Sequence, residues 1–91
     1  MLEFIKKILR ISTIEFDEEI SQLIASASSD LILSGVRVEM VNDNDPLIRR
    51  AISVYCKAHF GFDNKDYDNL VGAYNSLKSH LILSRDYGTL V

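Results

Sequence analysis

The sequence predicts an all-α fold: a small bundle of about four helices with an extended connector and an extended C-terminal arm. Three observations carry the prediction. Apolar residues recur at three- and four-residue spacing in four separate stretches. Helix-start or helix-stop chemistry bounds most of those stretches. Proline and glycine are scarce, and no internal repeat or low-complexity tract breaks the pattern. Ninety-one residues bound the chain to one domain, with little room for both a core and an enclosed cleft. Its 47% hydrophobic and 25% charged residues are those of an ordinary globular protein.

The first segment runs from Leu2 to about Arg10. Leu2, Ile5, Ile8 and Leu9 fall at helical spacing, with Lys6, Lys7 and Arg10 opposite. A basic amphipathic helix can lie on a membrane. One or two turns bury too little apolar area for stable anchoring, so a short surface helix packed on the body is expected.

The second segment spans about Asp17 to Ser34. Asp17, Glu18 and Glu19 suit the positive end of a helix dipole. Ile20, Leu23, Ile24, Ala27 and Leu31 form an apolar stripe, and Gly35 is a C-terminal stop. Its other faces carry small residues, Ser21, Ala25, Ser26, Ser28 and Ser29. They can admit the close approach of another backbone, or simply face solvent.

Residues Val36 to Asn44 form the connector. Val36, Val38 and Met40 alternate weakly with their neighbours, which fits a short strand or an extended loop. Asn42-Asp43-Asn44-Asp45 reads as turn chemistry. It lacks the glycine and the terminal glutamate of an EF-hand, so no metal site is expected.

The third segment has the clearest start. Asp45 is a good N-cap and Pro46 fits the first helical position. Leu47, Ile48, Ala51, Ile52, Tyr55 and His59 continue it and Gly61 ends it. Apolar residues cover more than half its circumference, which makes it the expected central helix. Arg49, Arg50, Ser53 and Lys57 share one arc of about 100°. His59, near the C-terminus, is expected to be partly buried and dipole-compatible.

The fourth segment begins near Asn64 or Asp66 and reaches about Leu81. Asp63, Asp66 and Asp68 suit its start, and Tyr67, Leu70, Val71, Tyr74, Leu77 and Leu81 make its core stripe. Leu81 to Val91 alternates apolar and polar residues and is too apolar for an idle tail. The expected core is Ile20, Leu23, Ile24, Leu31, Ile48, Ile52, Tyr55, Leu70, Tyr74 and Leu77.

Composition and motifs exclude several functions. The formal charge of −3, from 13 acids and 10 bases, argues against a protein whose main work is gripping phosphates. The single cysteine, Cys56, can form no intrachain disulfide and no zinc site by itself. No signal peptide or membrane span is legible, so an intracellular, soluble product without membrane partners is expected. There is no phosphate loop and no nucleophile elbow. Cys56 and His59, at i and i+3, could be neighbours, but no third group orients them. No enzyme activity, cofactor or catalytic residue is expected. A DNA-binding or regulatory role is the alternative, since the third and fourth segments meet at a short Gly-containing turn. A recognition helix opening on Asp66-Tyr67-Asp68 would repel phosphates.

Two stretches carry a resemblance. One is Asp43-Asn44-Asp45-Pro46-Leu47-Ile48-Arg49-Arg50-Ala51-Ile52, with Tyr55, Lys57-Ala58-His59-Phe60-Gly61 and Asp63-Asn64. The other is Tyr74-Asn75-Ser76-Leu77-Lys78-Ser79-His80-Leu81, with Leu83-Ser84 and Asp86-Tyr87. Both resemble the head–tail connector, or adaptor and DNA-packaging, proteins of tailed phages, particularly those infecting Gram-positive bacteria. The resemblance covers most of the chain, and its motifs are packing signatures. It implies a homo-oligomeric ring, usually of twelve copies, made in the host cytoplasm and located in the virion beneath the portal protein. Such a ring extends the DNA channel, lets DNA pass without specific binding, and joins the head to the next neck or tail-completion protein.

With that resemblance, Ser21, Ala25 and Ser28 on one side and Arg49, Arg50 and Lys57 on the other are the expected subunit interface. Residues 1–83 are the expected helical connector domain. Residues 84–91 are an arm whose neighbourhood, Leu81, Leu83, Tyr87 and Leu90, would dock on the portal and be poorly ordered without it. The opposed expectation is a tail folded back over its own bundle.

Overall fold

Local chemistry sets the helix boundaries in the structure, a computed structural model that describes residues 1–61 and 64–89. Four helices follow in order: α1 (Leu2–Leu9), α2 (Asp17–Ser34), α3 (Pro46–His59) and α4 (Tyr67–Leu83). A short turn of 3-10 helix occupies Val38–Met40 between α2 and α3. Among the described residues there is no strand, only one antiparallel bridge between Val36 and Gly88. The all-α reading therefore holds.

The punctuation of α3 follows from its sequence. Asn42 Oδ1 accepts the N–H groups of Asn44 and Asp45 at 2.9 and 3.1 Å, a side-chain-closed turn. Asp45 Oδ1 then accepts the N–H groups of Leu47 and Ile48 at 2.9 and 3.1 Å, with Pro46 at the first helical position. At the other end, Asn64 Nδ2 donates to the Lys57 carbonyl at 2.6 Å while its Oδ1 accepts the Asp66 N–H. One amide thus closes α3 and opens α4. Asp63, expected to add charge to that opening, lies outside the described residues. Helix α2 ends at Gly35, whose φ of +121° is a conformation that a side chain would strain.

Helix α3 packs against all three other helices, as its apolar circumference requires. Its Ile48, Ala51, Ile52 and Cys56 share one core with Ile20, Ala27 and Leu31 of α2 and with Tyr74 and Leu81 of α4. Leu23, Ile24, Tyr55 and Leu77 are half-buried around that core, and Leu70 is half-buried as well.

Two expectations need correction. Helix α1 packs on the body through the fully buried Ile5, as expected, but Lys6, which the pattern put on the opposite face, is buried as well and its ammonium pairs with Asp17 at 2.8 Å. The weak alternation of the connector fails at Val38, which is 65% exposed beside the buried Val36. The backbone turns there instead of extending.

The C-terminal segment also differs from an extended arm. Helix α4 reaches Leu83, so Leu81 sits one and two turns beyond Leu77 and Tyr74 and is buried in the core. Residues 84–89 then return along the body. Arg37 N–H donates to the Tyr87 carbonyl at 2.7 Å, and Thr89 N–H donates to the Gly35 carbonyl at 2.9 Å. Arg37 Nε donates to the Gly88 carbonyl at 3.1 Å. Gly88 is required at this return, because a Cβ there would collide with the Ile82 carbonyl. The described part of the tail therefore lies folded against its own domain.

Candidate functional site

The apolar face of α1 and the basic arc of α3 together form a groove of about 340 Å³. Phe4 and Ile8 of α1 and Val54 of α3 supply its apolar wall, and Arg49, Arg50 and Lys57 supply its charge. The Arg49 guanidinium lies 3.8 Å from the centre of the Phe4 ring, which fixes the two helices across the groove. Ser53, the fourth residue of the arc, is buried, and its hydroxyl donates to the Arg49 carbonyl at 2.6 Å. Arg50 and Lys57 are exposed and make no ion pair among the described residues.

The outer face of α2 is a second surface. Ser21 and Ala25 are exposed there, at i and i+4, one turn beyond the exposed Glu18. Ser28 is half-buried, and its hydroxyl donates back to the Ile24 carbonyl at 2.9 Å, so it offers no free donor outward. Ser21, Ala25 and the basic triad thus lie on different helices, and all of them but Arg49 are exposed.

Sequence reasoning did not foresee a third feature, an aromatic cluster between α3 and α4. The Tyr55 and His59 rings lie 4.3 Å apart, Tyr55 and Tyr74 5.2 Å, and His59 and Tyr67 5.6 Å. His59 is exposed, not partly buried as expected. Tyr74 donates its hydroxyl to Asp30 at 2.6 Å, and Lys78 donates to the same oxygen at 3.1 Å. Burial pushes the Tyr74 hydroxyl up, and the Asp30 hydrogen bond adds to that shift. Burial alone would raise Asp30, but the Tyr74 and Lys78 hydrogen bonds and the ammonium charge outweigh it and hold its carboxyl below the ordinary value. The spacing 55, 59, 67 and 74 was visible in the sequence. Its convergence was not, because it depends on how α3 and α4 cross.

Of the residues expected in the C-terminal arm, Leu81 is buried and Leu83 is 76% exposed. Tyr87 is half-buried, with its hydroxyl on Asp45. Leu90 lies outside the described residues.

The chemistry at Cys56 is that of a packed side chain. The residue is fully buried, and burial pushes its thiol up to about 12. A thiol so raised supplies almost no thiolate at neutral pH. His59 is engaged by two tyrosine rings. Among the described residues, no group of three potential metal ligands converges, and no helix is long and apolar enough to cross a membrane.

Residues 1–88 match the family described as phage connector protein. No curated protein and no solved structure matches the chain.

Proposed function

Because this chain belongs to the phage connector protein family, we propose that it is a structural subunit of the phage neck, acting as a ring of twelve copies beneath the portal. The ring extends the DNA channel and presents a surface to the next tail-proximal protein. The observation that carries the reading is the family match over nearly the whole chain, residues 1–88. The surface chemistry agrees with it: exposed faces suited to protein contact surround a core whose one thiol is inert.

In this reading, Ser21, Ala25 and Ser28 of one subunit and Arg49, Arg50 and Lys57 of another belong to opposite sides of a heterologous, closed contact. The net charge of −3 keeps the passage of DNA from being held up by neutralised phosphates. Residues 84–91 leave the body to dock on the portal, with the exposed Leu83 available at the base of the arm. Docking must then replace the hydrogen bonds that hold residues 87–89 to the body. The working role is assembly, without catalysis, in the virion at the junction of head and tail.

The test is genetic and structural. Loss of the protein should leave DNA-filled heads that carry no tails, and images of intact necks should show one ring of this subunit under the portal. Normal tailed particles formed without the protein would sink the proposal.

A further inference from the structure

The groove between α1 and α3 combines an apolar wall with cations that make no ion pair among the described residues, so its fitting occupant is an apolar tip flanked by carboxylates. The chain carries such an element at the corner before α2. Ile14 is 83% exposed there. Glu15, Glu18 and Glu19 around it are exposed and make no ion pair among the described residues.

A lone exposed isoleucine would mean little, but this one is held outward. Phe16, itself 38% exposed, packs edge-on against Phe60 at 5.6 Å. Asp17 is tied to the buried Lys6, and its N–H donates to the Ile14 carbonyl at 3.2 Å. The corner is thus anchored immediately after its apolar tip.

We propose that the Ile14–Glu15 corner of one copy, with Glu18, seats in the Phe4–Ile8–Arg50–Lys57 groove of a second copy. This rests on the reading that the protein assembles in many copies, and it names the residues that meet. Tip and groove are different surfaces of one chain, so the contact is heterologous and propagates to a ring when the rotation closes. It also joins continuously to the outer face of α2, because Glu18, Ser21 and Ala25 follow one another along that helix. A groove of about 340 Å³ takes one side chain and its flanks. One side chain and its flanks bury less than the roughly 800 Å² per partner of a stable interface. The contact by itself is therefore weak, and ring closure stabilises it.

Two charge-reversed proteins test the pairing: Arg50→Glu with Lys57→Glu, and Glu15→Lys with Glu18→Lys. All four positions are exposed, so the groove variant should keep the wild-type melting temperature and the corner variant should lose only the modest helix-end contribution of Glu18. Wild-type self-association is followed by sedimentation and amide chemical shifts up to millimolar concentration. Each variant should lose that association by at least tenfold. An equimolar mixture should recover it, since each supplies the surface the other reversed. Ile14→Asp should weaken association without any change of groove charge.

Variants that associate as wild type does, a mixture that fails to recover, or a wild type that stays monomeric throughout would each overturn the inference. Groove variants that self-associate but no longer attach to heads would assign the groove to another protein's acidic segment, which also overturns it. The neck role is judged separately, by whether the protein is present in tailed particles.

Discussion

The Tyr87 hydroxyl lies 2.9 Å from Oδ2 of Asp45, whose other oxygen caps the first turn of α3. One carboxylate thus starts the central helix and holds the C-terminal segment. Tyr87→Phe removes only the second function and should cost about 1 kcal/mol, an ordinary hydrogen bond. Asp45→Ala removes both and should cost more, with the cap contributing about 0.5–2 kcal/mol. Urea denaturation of the two single variants and the double variant checks the coupling. Simple additivity would mean that the Tyr87–Asp45 contact contributes nothing in solution.

Ile52 is 1% exposed at the centre of the bundle. Ile52→Ala should cost about 2–5 kcal/mol, the range for such a truncation in a close-packed core. Small domains carry about 5–15 kcal/mol in total, so the denaturation midpoint should fall steeply. An unchanged midpoint would remove α3 from its central place.

Stability should fall in alkali because of Cys56. Burial raises its thiol from the ordinary 9.0 to about 12 in the folded protein. Between those values the unfolded chain loses the proton while the folded chain keeps it, so the unfolded state gains. The contribution is intact below pH 9.0 and is lost progressively above it. Comparing wild type with Cys56→Ala in urea across that range isolates the effect, since only wild type has the thiol. In acid the sign reverses at Asp30: its lowered carboxyl stabilises the fold above the ordinary 3.8, and that is lost as the pH falls further.

Lys6 and Asp17 form a pair in which the ammonium is buried and the carboxylate is one-third exposed. Asp17→Ala would strand the ammonium and should cost somewhat less than the roughly 3–5 kcal/mol of breaking a fully buried pair. Adding Lys6→Met should recover most of that loss, because an apolar chain of similar length suits the site. Thermal melts of the single and double variants decide it. Failure of Lys6→Met to rescue would mean that the pair sets the geometry of the corner before α2.

Much of the fold was legible because its signals are local. Pro46 after Asp45, Gly35 after the stripe of α2, and the Asn42 turn each act within a few residues, and the structure uses all three as read. The burial of Lys6 in α1 was illegible, since the pattern put it on the face opposite Ile5 and its partner Asp17 lies outside that helix. The return of the tail was illegible for a related reason. Leu81 belongs to the stripe of α4, but the alternation that follows it suggested extension, and the hydrogen bonds that the Gly35 carbonyl accepts and Arg37 donates leave no trace near residue 88. At the candidate site, the cationic arc was visible on α3 alone. The groove was not, because Phe4 and Ile8 come from a helix some forty positions earlier in the chain.

The return of the C-terminal segment has a consequence for folding kinetics. Its bonds join residues 51 and 54 positions apart, Arg37 to Gly88 and Gly35 to Thr89. Bringing such distant positions together costs loop-closure entropy that a few exposed hydrogen bonds offset poorly until α2 and α4 already lie side by side. The segment should therefore settle after the rate-limiting step and be the first part released. Weakening it, as with Arg37→Ala, should steepen escape from the native state while refolding proceeds at the wild-type rate. In a chevron plot the unfolding arm would rise and the folding arm would stay where it was.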